Sequence, residues 1–126
     1  MLDVHLTGCF ASTEALDALA IPAGAVACRI APDELMLIGP AGDVEDRVRE
    51  LDSDAVVLDL TDGWCVAECS RESFARLSEI ELPAEGFVQG DVARVPARVI
   101  AEPDRILLFV PAMYENHLRG RIEAAS

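Results

Sequence analysis

The sequence predicts an α+β domain built from two tandem β-α-β-β-α units, with a mainly antiparallel sheet and helices packed on it. Three observations carry this reading. Apolar runs are strand-sized and come in pairs joined by short turns; two Ser-capped segments have helical spacing; and one segment of the chain is echoed by another. The echo is the most informative. Ala31-Pro32-Asp33-Glu34-Leu35-Met36-Leu37-Ile38-Gly39-Pro40-Ala41 returns as Ala101-Glu102-Pro103-Asp104-Arg105-Ile106-Leu107-Leu108-Phe109-Val110-Pro111-Ala112. In both copies a Pro-Asp turn, an apolar strand and a Pro-Ala stop follow one another and lead into a helix.

The elements follow in order. The first strand is expected near Asp3 to Thr7, where the signal is poor. Ser12 N-caps a helix with acidic Glu14 in its first turn, and Pro22-Ala23-Gly24 ends it. Val26 to Ala31 and Leu35 to Ile38 read as a hairpin across a short joint. Gly39 to Gly42 stops the second strand, and Asp43 opens a helix with Val44, Val48 and Leu51 on one stripe. Ala55 to Leu60, continuously apolar but for Asp59, reads as a buried strand. Thr61-Asp62-Gly63 then reads as a tight turn with Gly63 at positive φ, returning Trp64 to Cys69 as the partner strand. There Trp64 and Val66 take one face, and Cys65, Ala67 and Cys69 the other. Ser70 caps a helix from Arg71 to Ile80 that buries Phe74 and Leu77; Pro83 to Gly90 is a loop. Val92 to Ala101 is a strand that Pro96 assigns to an edge or a bulge. Ile106 to Val110 is a strand, and Ala112 to Glu123 a closing helix. Pairing of the two units by a pseudo-two-fold would bury both apolar faces. Residues 1–126 are thus expected to form a single domain, the size of one hydrophobic core.

Charge narrows the function classes. The chain has 23 carboxylates against ten Arg and no Lys, a formal net charge of −13, which disfavours nucleic acid and anionic membranes. The acidity serves solubility or steers the chain toward a basic partner. No apolar stretch reaches the roughly 18 residues of a membrane span, and no basic n-region follows Met1. The expected location is the cytoplasm.

The sequence carries none of the common catalytic or metal-binding motifs. A P-loop needs a lysine that the chain lacks, and no Gly-x-Gly-x-x-Gly or Gly-x-Ser-x-Gly is present. Cys65 and Cys69, on one strand, stand about 13 Å apart and cannot chelate one ion, so Cys9, Cys28, Cys65 and Cys69 read as buried thiols with no metal. Cys9 and His5 on one strand would not meet as nucleophile and base. Asp59, Asp62, Asp33 and Asp104 fit turn chemistry. Trp64 packs in the core over the helix from Arg71, or anchors an interface with a partner. Arg94 and Arg98, four apart on a strand and sharing a face, are the candidate binders of an anionic cofactor tail.

The order Arg29-Ile30-Ala31-Pro32-Asp33-Glu34-Leu35-Met36-Leu37, then Val57-Leu58-Asp59-Leu60-Thr61-Asp62-Gly63, then Phe109-Val110-Pro111, resembles the gamma subunit of heterotetrameric sarcosine oxidase. The likeness runs from about Arg29 to Ala124. That family is similar in fold to the folate-binding domain of the glycine-cleavage T-protein. The resemblance implies a folate-binding-type domain docked on a larger catalytic subunit, without a catalytic residue of its own. Flavin or tetrahydrofolate would sit only in the partner subunit. The T-protein pattern carries an acidic residue where this chain has Arg94 or Val95, with Asp91 out of register, and Asn where it has Pro111. Folate-dependent transfer is therefore not expected. The alternatives are a stand-alone folate-like small-molecule binder, using a groove between the units, and a self-associating structural or regulatory protein pairing near Pro96.

Overall fold

A computed structural model describes residues 1–126. The chain divides into two compact units, Val4–Thr61, and Asp62–Ser126 together with Met1–Asp3. The first holds β1 (Leu6–Phe10), α1 (Thr13–Ala18), β2 (Val26–Ala31), β3 (Glu34–Ile38), α2 (Val44–Leu51) and β4 (Val56–Asp59). The second holds β5 (Trp64–Cys69), α3 (Arg71–Leu77), β6 (Gly86–Val92), β7 (Val95–Ala101), β8 (Ile106–Pro111) and α4 (Glu115–Ala125). Each unit has one four-stranded antiparallel sheet, in the orders β2-β3-β1-β4 and β5-β8-β7-β6.

The echo is structural. β1-α1-β2-β3-α2 and β5-α3-β7-β8-α4 have the same element order, and their strands lie as β2-β3-β1 and β7-β8-β5. The echoed strands β3 and β8 are both interior, each entered from a hairpin and left toward a helix. Cys9 stands opposite Leu35 and Cys69 opposite Ile106, so the two thiols hold equivalent places. β4 and β6 are the additions that set the units apart.

Helices close one face of each sheet because their apolar stripes match it. Leu16, Val44 and Val48 cluster with Cys9, Leu35 and Leu37 in the first unit. Phe74, Leu77 and Leu118 cluster with Cys65, Cys69, Val99 and Leu108 in the second. Both serine caps form: Ser12 Oγ accepts from Ala15 N–H at 3.1 Å, and Ser70 Oγ from Ser73 N–H at 3.1 Å.

Several expectations are corrected. The first strand begins at Leu6 rather than Asp3; Leu2 instead makes an isolated bridge to Val66. β4 is not buried: it closes the edge of its sheet, and Val56 and Leu58 are half-exposed. Leu51 also leaves the stripe that Val44 and Val48 bury. β4 and β5 do not form a hairpin, for they belong to different sheets, and Thr61–Gly63 is a 3₁₀ turn with Gly63 outside the positive-φ region.

The helix from Arg71 stops at Leu77. Ser78 turns extended, its hydroxyl donating to Asp91 C=O at 2.7 Å and accepting from Ile80 N–H at 3.2 Å, a local alternative to the next helical turn. Most of the expected loop Pro83–Gly90 is strand β6, paired along β7 from Gly86↔Ala101 to Val92↔Val95. The expected strand Val92–Ala101 is broken at Ala93-Arg94, a two-residue hairpin turn. Pro96 lies in an interior strand, but beyond the end of the β8 ladder, which starts at Arg98↔Phe109, so its missing N–H interrupts no pairing there.

Candidate functional site

Trp64 opens β5, and the period of two places it on the face of Val66 and Glu68, away from the helices. Val66 and Arg98 both stand opposite Phe109 on β8, so Arg98 shares this face from the other side of that strand. Its guanidinium crosses to the indole, 4.5 Å from the ring centroid. Trp64 is partly buried and does not lie over α3, because Phe74 and Leu77 face Cys69 on the opposite side of the sheet.

Arg94 is not on a strand. With Ala93 it forms the β6–β7 turn, at φ 51° and 68°, a left-handed pair usually taken by Asn-Gly. Two long-range bonds hold it: Ala93 N–H donates to Leu77 C=O at 2.8 Å, and Ala93 C=O accepts from His117 Nε2 at 2.8 Å. That carbonyl can only accept, so Nε2 carries the proton. Arg94 lines an open groove with Arg76, Ser78, Glu79 and Asp91, two cations against two carboxylates, whereas Arg98 lies on Trp64. The shared strand face expected of Arg94 and Arg98 is absent.

A second group gathers at the end of the first unit. Thr61 Oγ1 accepts from Leu6 N–H at 3.0 Å and stands 3.1 Å from His5 Nδ1. Asp59 Oδ1 accepts from Thr61 N–H at 3.0 Å, the Asx turn expected of it, and lies 4.0 Å from His5 Nδ1. Hydrogen bonding to Thr61, with the nearby His5 ring adding to it, holds the Asp59 carboxyl below the usual carboxylate range. His5, Thr7, Glu45 and Asp59 line a cleft of about 320 Å³. Thr7 is buried, and its hydroxyl has no partner. The clustering of His5 with Thr61 was not legible, since 56 positions separate them.

All four cysteines are buried thiols. Burial pushes the thiols of Cys9 and Cys65 up; it carries Cys69 to about 11, with the Glu68 carboxylate adding to it. They are placed as apolar side chains, not as nucleophiles.

Among solved structures, the fold matches a chain of the heterotetrameric sarcosine oxidase from Corynebacterium sp. U-96, solved in complex with pyrrole 2-carboxylate. The TM-score is 0.77 at 16% sequence identity, over 99% of this chain and 80% of that one. The fold is that of a sarcosine oxidase chain. The sarcosine oxidase fold thus accounts for both units, including β4 and β6, and bears out the resemblance drawn from the Pro-Asp-Glu and Val-Leu-Asp-Leu segments. No family model matches the sequence, and no curated protein matches it. No helix is long and apolar enough to cross a membrane.

Proposed function

We propose that this chain is a non-catalytic accessory subunit of a sarcosine-oxidase-like heteromeric amine oxidase or demethylase. The observation that carries the reading is the match of nearly the whole chain to one chain of a heterotetrameric enzyme. Residues 1–126 act as a single folate-binding-type domain in the cytoplasm, docked on a larger catalytic protein that holds the flavin or tetrahydrofolate. The acidic surface suits a basic partner face. Trp64, partly buried beneath Arg98, is a candidate contact. The replacement of the T-protein acid by Arg94 or Val95 supports the accessory role over catalysis.

A stand-alone folate binder is less well supported. Arg94 and Arg98, the cations it would use for the anionic tail, stand in a hairpin turn and on an indole face.

Affinity purification of the tagged chain from its native host, followed by mass spectrometry, tests the proposal. A larger flavin-bearing protein is expected in a fixed ratio to the chain. A chain that purifies alone, or that oxidises sarcosine by itself, overturns it.

A further inference from the structure

We propose that the free edge of β4 takes up an extended, basic-flanked segment of the partner protein as a fifth strand. β4 ends the order β2-β3-β1-β4, so alternate N–H and C=O groups of Val56–Asp59 point away from β1 without a strand beside them. Val56 and Leu58, 48% and 47% exposed, are the large exposed apolar side chains that lie on strands. They share a face, opposite Phe10 and Gly8 of β1. Gly8 leaves room that Leu60 fills: a Cβ there would meet Leu60 Cδ1 at 2.9 Å. Leu60 thereby packs over β1, inward of Val56 and Leu58, which stay exposed at the edge.

The other edges are less suited to a new strand. Leu2 N–H already donates to Val66 C=O of β5 at 2.7 Å. β2 carries a register shift between Arg29 and Ala31. β6 opens at Gly86, carries Gly90 in its interior and ends in Asp91-Val92. Natural edges are commonly protected by a charge, a bulge or a proline; β4 has no bulge or proline, and its one charge, Asp59, stands at its last residue.

Charge decides the occupant. From Glu50 to Asp62 the chain carries five carboxylates, at Glu50, Asp52, Asp54, Asp59 and Asp62, and no Arg. A segment lying along about 13 Å of β4 would present apolar residues to Val56 and Leu58, and its ends to these carboxylates. Main-chain bonds would supply the affinity, and Arg or Lys at the two ends the selectivity. A second copy of this chain is disfavoured, because pairing β4 with β4 would bring the same carboxylates together.

The inference rests on the accessory-subunit reading for the source of the segment, and it is tested separately. The probe is a labelled peptide of alternating Val and Thr with two Arg at each end, followed by fluorescence anisotropy against the full chain. The Arg-flanked peptide should bind at least tenfold more tightly than a Glu-flanked counterpart. Binding should weaken at least threefold in Val56→Thr/Leu58→Thr, which removes apolar surface without adding charge, and further in Val56→Lys/Leu58→Lys. A central Pro in the peptide should abolish binding. Equal binding by the variants, by the Glu-flanked peptide or by the Pro-containing peptide overturns the proposal. So does a dimer of the free chain that Val56→Thr/Leu58→Thr dissolves. Peptide binding with no larger protein co-purifying supports the edge and removes the subunit role. A larger protein that co-purifies undiminished with the Thr variant removes the edge and leaves the role standing.

Discussion

Arg98 covers the indole of Trp64 at 4.5 Å from the ring centroid, reaching it diagonally across β8. The pair joins the start of β5 to the middle of β7. Trp64→Ala should destabilise the chain by about 1–2 kcal/mol, less than the roughly 3–5 kcal/mol lost with a fully buried tryptophan. A double-mutant cycle with Arg98→Ala, followed by urea unfolding, should return a coupling of about 0.5–1 kcal/mol. Loss of partner association with stability unchanged would instead make Trp64 an interface anchor.

The two echoed strands should respond alike to truncation. Leu37 and Leu108 are both fully buried on the helix side of an interior strand. Leu37→Ala and Leu108→Ala are each expected to cost about 2–5 kcal/mol. Leu58→Ala, on an apolar run of the same appearance, should cost less than about 0.5 kcal/mol by the same denaturant curves.

Arg94 stands at φ 68° in a turn that glycine fills without a Cβ clash. Arg94→Gly should raise stability by about 1 kcal/mol, since relief of the left-handed strain outweighs the entropy that glycine adds to the unfolded chain. A fall in stability would show that the side chain makes a contact the turn depends on.

The thiols set an alkaline limit. The Cys69 pKa is raised on folding from 9.0 to about 11, so the folded state holds the proton more tightly than the unfolded one. The stabilisation is complete below about pH 9 and is lost as pH rises through 11, an effect of up to about 2–3 kcal/mol. Cys9 and Cys65 shift in the same direction and add to the decline. Unfolding curves between pH 8 and 11 check this. At neutral pH a thiol reagent should label the four cysteines only after denaturation.

The sequence by itself determined what local chemistry controls. Ser12 and Ser70 mark helix starts because a hydroxyl satisfies an orphan N–H wherever it is placed. The Pro-Asp echo locates β3 and β8, and the period of two separates Cys65, Ala67 and Cys69 from Trp64 and Val66, while the choice of which face meets the helices came from packing. The Asx turn at Asp59 needs only two residues. The tertiary structure decided the rest. An apolar run is the same in sequence whether its strand lies inside a sheet, as β8 does, or on the rim, as β4 does; neighbours decide which side chains lose water. The glycines of β6 concealed a strand that pairing with β7 imposes. Arg94 left its expected strand because bonds from Leu77 and His117 hold Ala93, and with it the turn, in a conformation that neither turn residue prefers by itself.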